Sequence, residues 1–295
     1  MAGLLRRVKT KLAIHAHRTV RGLLDGEYTS VFHGRTIEFD DLRPYVPGDE
    51  PRDIDWKATA RHGMPLVRRY IASRKHTVLL LVDTGRTMAA LAASGEVKRE
   101  IAILAVGVLG YLAVRHGDRV ALVAGDEQQS VFLRPGATEA HLERLLQKID
   151  AAATLDAPRS DLTRQLAFVA RAFPRRMIVI VVSDDRELGD AEARLLRRLS
   201  AQHEMLWLTV ADADLLRGDW AARRMHDVSA GSSLPAYLRA DPSLRAEFDT
   251  GIAERSRRRE ALFTRLAISS QRLSSTDEVV PGLFRLLQLH RHARR

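Results

Sequence analysis

The chain has 295 residues, with 47 Lys and Arg against 37 Asp and Glu, 45% hydrophobic residues and no cysteine. Lack of cysteine excludes a disulfide framework and a thiolate metal site, and fits a reducing compartment. The formal charge of +10 admits nucleic acid, anionic lipid or an acidic protein as partner. However, aromatics are only 5%, too few for a base-stacking platform, and arginines are scattered in pairs such as Arg68-Arg69 and Arg197-Arg198.

The opening MAGLLRRVKTKLAIHAHRTVRGLL has charges every few residues and lacks the apolar core of a secretory signal. It reads as a basic helix over 4–24, with Leu4, Leu5, Val8, Leu12, Val20 and Leu23 leaning to one side. Residues 25–75 change texture to turns and short β-like pieces at 35–39 and 64–70. From residue 76 a regular alternation begins. Thr77–Val82 is an apolar, β-branched run, the mark of a strand buried on both faces. A helix over 97–115 follows, whose apolar run from Ile101 to Val114 is shorter than the ~20 residues that span a bilayer. A cytoplasmic protein is therefore expected. Strands at 119–123 and 130–133 form a hairpin through Gly125-Asp126. Helices at 138–149 and 161–172 lead to a second fully apolar strand, 177–182. A helix at 190–201, a strand at 205–210, a helical region across 212–265, a strand at 267–273 and a helix at 278–291 complete the chain. Strands alternating with helices predict an α/β fold with a mostly parallel sheet covered on both faces.

Both of the most apolar strands end in polar residues. The first runs into Asp83-Thr84-Gly85-Arg86-Thr87 and the other into Ser183-Asp184-Asp185. In open α/β sheets, ligands bind beyond the carboxyl ends of the strands. Carboxylates and hydroxyls gathered there suit a hard divalent cation. Ser160-Asp161, before the helix at 161–172, adds a third loop or simply caps that helix. Asp-Thr-Gly is also the triplet of aspartic proteases, but it occurs here once and in α/β surroundings. An Asp nucleophile of the haloacid dehalogenase phosphatase type is a second rival. Such enzymes place an acid two residues later, where this chain has Gly85.

A denser motif lies upstream. Glu38 to Asp49 (EFDDLRPYVPGD) is followed by Arg52-Asp53-Ile54-Asp55-Trp56 and Thr59-Ala60-Arg61. Pro47-Gly48 fits a type II turn, and Arg43, Arg52 and Arg61 can pair with Asp49, Asp53 and Asp55. This segment is either a stapled surface subdomain or a binding epitope. At these residues the chain closely resembles the family called domain of unknown function 58 (DUF 58). Its pattern, E-F-x-x-L-R-x-Y-x-P-G-D-x-x-R-x-I-D-W-x-x-[ST]-A-R, is met throughout 38–61.

The resemblance implies a von Willebrand factor A-like domain over 76–295, after a β-rich extension at 25–75 and the basic helix at 1–24. It also implies a six-stranded sheet in the order 3-2-1-4-5-6. No enzymatic activity is attached to the family. Its members are associated with MoxR-type AAA+ ATPases, so a non-enzymatic adaptor is expected, with Arg43, Asp49, Arg52, Asp55, Trp56, Arg61 and Arg86 as partner contacts. Von Willebrand A-like domains often hold Mg²⁺ or Mn²⁺ in a metal-ion-dependent adhesion site. Here its ligands would be Asp83, Thr87, Ser160 and Asp184. Gly85 stands where that pattern has its first serine, so Gly85→Ser is expected to restore a ligand. Arg86 is expected to supply positive charge in the ion's stead. The alternatives are a metal-dependent phosphatase-like hydrolase and a nucleic-acid-binding protein.

Overall fold

The computed structural model describes residues 3–15, 18–33, 38–47, 49–50, 54–71, 75–213, 226–229, 231 and 241–293. Two strands form its centre because they are apolar from Val78 to Val82 and from Ile178 to Val182, up to their polar ends. These are β3 (Thr77–Asp83) and β6 (Ile178–Asp184), buried along almost their whole length. They pair in parallel, Val78 opposite Ile178 through Val82 opposite Val182. Outward from β3 come β4 (Arg119–Gly125), parallel, and β5 (Ser130–Gly136), antiparallel at the edge. Outward from β6 come β7 (Glu204–Val210) and β8 (Ser269–Leu273), both parallel. The order β5-β4-β3-β6-β7-β8 is the one expected of a von Willebrand factor A-like domain. It sets the tips of β3 and β6 side by side.

Helices cover both faces, and each face has its own apolar core. On one side Val78, Leu80, Val82 and Ile180 meet α4 (Lys98–Arg115), α5 (Glu139–Ala152) and the closing helix, α9 (Val279–Ala293). On the other, Leu79, Leu81, Val179 and Val181 meet α6 (Leu162–Ala172), α7 (Asp190–Gln202) and the end of α8 (Pro242–Arg265). Side-chain caps start three of these helices: Thr138 for α5, Asp161 for α6 and Asp241 for α8. No helix among the described residues is long and apolar enough to cross a membrane.

The N-terminal segment departs from the expected single helix and from a boundary at residue 24. It forms α1 (Leu4–His15) and α2 (Arg18–Tyr28), continued by a π-helical turn over Thr29–His33. Residues 25–33 are therefore helical, not part of a β-rich extension. The reason is burial: Leu24, Tyr28, Val31 and Phe32 all join the first core, and the Tyr28 hydroxyl donates to Asp118 at 2.9 Å. Leu5, Val8 and Leu12 of α1 join the same core, which is why α4 is apolar nearly all round. The Glu143 carboxylate of α5 accepts from the Leu4 and Leu5 amides at 2.9 and 2.7 Å. The last strand begins at Ser269, not 267, because Ala267 turns left-handed (φ 53°) as α8 ends.

The motif at 38–61 lies in an arm. Strand β1 (Glu38–Pro44) pairs antiparallel with β2 (Leu66–Ile71), with α3 (Trp56–His62) between them in sequence. Their extensive contacts are with one another.

The seating of α1 on α4 can be tested. A Cβ on Gly107 would come 2.5 Å from Val8 Cγ2, so Gly107→Ala should cost about 1–3 kcal/mol by overpacking. Chemical denaturation should show Val8→Ala in the same chain recovering part of that loss, a coupling that unconnected sites would lack.

Candidate strand-tip site

Asp83 is the last residue of β3 and is fully buried. Its Oδ1 accepts from the Gly85 amide at 2.9 Å, which turns the chain sharply after the strand. Its Oδ2 is buried with no hydrogen-bond partner among the described residues, and the same holds for Oδ1 of Asp184 at the end of β6. Two buried carboxylates thus lie near one another, with no ion pair to either among the described residues. Burial first, and the charge of Asp184 second, push Asp83 up from 3.8 to about 7. The Gly85 amide, the Ser160 hydroxyl and the charge of Arg186 pull the other way.

All four residues expected as ion ligands come together. Thr87 lies in a 3₁₀ turn (Arg86–Ala89), and its hydroxyl is 2.7 Å from that of Ser160. Asp161 is consumed in capping α6, accepting from the Arg164 amide at 3.0 Å, and so leaves Ser160 to the site. Backbone bonds fix the loop: Arg86 N–H donates to Pro158 O and Thr84 N–H to Gly125 O, each at 2.9 Å.

Gly85 does not leave a gap that serine could fill. A Cβ there would fall inside contact distance of the Ser160 amide, Oγ and Cα. The backbone before α6 occupies the space a first serine would need, so the expected gain from Gly85→Ser is overturned. Arg86 is also different from expectation. It is half-buried, with its Nε lacking a partner among the described residues, and the guanidinium that acts on Asp83 is that of Arg186. The run Ser183-Asp184-Asp185-Arg186 carried that signal, since a cation directly follows the acids.

Other acids at the tips have resident cations that sequence reasoning missed. Asp185 accepts from Arg259 at 2.5 Å and from Arg272 at 2.9 Å. Burial opposes its ionisation, but these two guanidinium groups hold it below the usual carboxylate range. Lys98, buried at the start of α4, bonds to Asp212 just beyond β7. Burial nevertheless holds Asp212 above the usual range, against Lys98 and with Asp184 and Asp185 adding to the rise. Glu192 receives the Thr163 hydroxyl at 2.8 Å and lies 3.6 Å from Arg186.

No group of three or more His, Cys, Asp or Glu able to hold a metal occurs among the described residues. The donor set still fits a hard cation. Two carboxylate oxygens lack partners, two hydroxyls adjoin them, and Mg²⁺ habitually keeps several waters.

The residues expected as partner contacts in the arm are mostly engaged within it. Arg43 makes a two-point pair with Asp49, at 2.7 and 2.5 Å. Asp49 also accepts from the Val46 amide, and Asp55 caps α3 through the Ala58 amide. Trp56 and Arg61 are exposed. Arg52 lies outside the described residues.

The family model described as "protein of unknown function DUF58" matches residues 41–258. Uncharacterised proteins of Mycobacterium tuberculosis and Mycobacterium bovis are each 31% identical over 244 residues, covering 80% of this chain and 74% of theirs. Among solved structures, an aerotolerance-related membrane protein from Bacteroides fragilis aligns over 72% of this chain and 98% of its own, with 13% identity and a TM-score of 0.43. A von Willebrand factor type A protein from Catenulispora acidiphila aligns over 73% of this chain and 42% of its own, with 13% identity and a TM-score of 0.41.

The carboxylate pair has a consequence for stability against pH. Asp83 is raised above its unfolded value, so its contribution is fully present below pH 3.8 and is lost as pH rises through about 7. Asp83→Asn keeps an acceptor for the Gly85 amide and removes the charge. In metal-free buffer it should stabilise the fold on the order of 2 kcal/mol at pH 8 and hardly at all at pH 4. Gly85→Ser should destabilise at both. Urea titrations at the two pH values check all three outcomes.

Proposed function

The chain belongs to the DUF58 family, and we propose that it is a non-enzymatic adaptor acting in the cytoplasm as an accessory of a MoxR-type AAA+ ATPase. The observation that carries a binding role is the buried Asp83–Asp184 pair, whose oxygens Oδ2 and Oδ1 have no partner within the described chain. A site built this way gains from any cation that a ligand or partner brings to it. Phosphoryl transfer from an Asp83 nucleophile would want an acid two residues on. That position is Gly85, where the Ser160 backbone leaves no room for a side chain. A nucleic-acid role draws little support from the arginines, since Arg43, Arg259, Arg272 and Arg291 are paired with carboxylates of the chain itself.

In this reading Mg²⁺ or Mn²⁺ would be held by Asp83 and Asp184, with Thr87 and Ser160 beside them. When bound, the ion offers a Lewis-acidic contact that a carboxylate of the partner can complete. The chain's own part is to hold the two acids in place. Parallel pairing of β3 with β6 fixes the strand ends, and the bonds of Thr84 to Gly125 and Arg86 to Pro158 fix the loop.

Two measurements bear on the proposal. With Mg²⁺ at a hundredfold excess over its dissociation constant the fold should gain ~2.7 kcal/mol, and Asp184→Ala should abolish the gain. Co-expressed with a MoxR-type ATPase encoded beside it, the chain should co-elute with that ATPase, and less so as Asp184→Ala. Phosphoesterase activity lost with Asp83→Asn, in the absence of any ATPase association, would overturn the adaptor reading.

A further inference from the structure

Eight large apolar side chains are exposed among the described residues, and Tyr45, Val46, Trp56 and Met64 of the arm are half of them. Trp56 is the most open, at 67%. Hydrogen bonds place all four at one end of the arm. Tyr45 N–H donates to Pro65 O at 2.9 Å and Asp55 N–H to Leu66 O at 2.8 Å. Leu66 N–H donates to the Thr59 hydroxyl at 3.0 Å. The loop after β1, the start of α3 and the turn into β2 are thus stitched into a single tip.

The charged residues of the motif do this stitching. The Arg43–Asp49 pair closes the loop over 45–49, Asp49 holds the Val46 amide, and Asp55 starts α3. Ordered polar bonds here hold apolar side chains out in water, the reverse of what a stabilising subdomain would do. A two-stranded hairpin is marginal on its own. A covering surface would bury the exposed tip and steady it.

Helix α3 also exposes Lys57 and Arg61, which share a face four residues apart and flank Trp56, about 100° and 140° round the helix from it. Neither has a carboxylate partner among the described residues, whereas Arg99, Arg259, Arg272 and Arg291 elsewhere do. Trp and Arg are the residue types that anchor protein interfaces.

We propose that the arm tip is a docking site for a protein that presents an apolar pocket ringed by carboxylates. Trp56 fills the pocket, and Lys57 and Arg61 face its rim. This rests on the binding role above and adds a second contact surface, with a stated partner chemistry, away from the strand tips. A second copy of this chain is a poor match, because it would bring the same two unpaired cations to the contact.

The test places a photoreactive benzoylphenylalanine at position 46, 56, 86 or 289 of the full chain in its native host. Exposed Leu289, beside the His290 that bonds Glu204 at the start of β7, serves as a control outside both the arm and the strand tips. After irradiation the crosslinked peptides are sequenced. Positions 46 and 56 should label one partner surface, within a peptide whose apolar residues are flanked by Asp or Glu. Lys57→Glu with Arg61→Glu should cut the adduct at least tenfold without moving the melting temperature. The inference is overturned if labelling at 56 is no stronger than at 289, or falls on lipid or a second copy. Labelling of a peptide without carboxylates, or labelling indifferent to the charge reversal, overturns it equally. An adduct at 86 but not at 56 sinks the docking arm and leaves the adaptor reading standing. Adducts at neither position sink both.

Discussion

Asp83 and Asp184 end adjacent parallel strands built on the buried apolar runs Val78–Val82 and Ile178–Val182, so neither carboxylate can retreat into water without disturbing the centre of the sheet. Around them the protein has answered the same electrostatic problem several times. Arg259 and Arg272 neutralise Asp185, Lys98 bonds to Asp212, and Arg186 lies by Glu192. Backbone amides of Gln128 and Gln129 satisfy Asp126. Around the central pair the balance is left short, with Arg186 acting on Asp83 through its charge and one oxygen of each acid unbonded among the described residues. The surrounding loops are tied down so that the shortfall persists. Such an arrangement costs stability near neutral pH and makes the site receptive to cations.

The Gly85 position shows how the loops and the pair depend on one another. Its lack of a side chain lets the segment before α6 approach closely, and that approach brings the Ser160 hydroxyl to Thr87. What looks in one dimension like a lost ligand is, in three, the condition for another to arrive. The arm follows a different logic. Arg43, Asp49 and Asp55 are spent internally on an ion pair and a helix cap, while Lys57, Arg61 and the apolar Tyr45, Val46, Trp56 and Met64 stay exposed. Strand tips and arm tip therefore offer partners two unlike surfaces, one acidic and recessed, the other apolar and basic.

Much of this was legible in the sequence. The runs TVLLLV and MIVIVV mark strands buried on both faces, and their polar endings mark the site, because β-periodicity and burial act locally. The helical fate of residues 25–33 was not legible. Tyr28 and Phe32 gain their burial from α9 and from His116 and Asp118, far along the chain. Lys98 and Asp212 were invisible for the same reason: they are 114 residues apart and meet only because the start of α4 comes to the carboxyl end of β7. In the arm, the spacing of arginines and acids suggested pairs, but could not say whether pairing faced inward or toward a partner.

The central claim is that Asp83 and Asp184 form a buried acidic pair whose crowded charge a divalent cation would relieve. The most direct measurement is the ¹³C NMR titration of the Asp83 carboxyl carbon, assigned by its loss in Asp83→Asn. In metal-free protein the account predicts a midpoint near 7, falling well into the acid range when Mg²⁺ is added. A midpoint near the ordinary 3.8, unmoved by Mg²⁺, would contradict it.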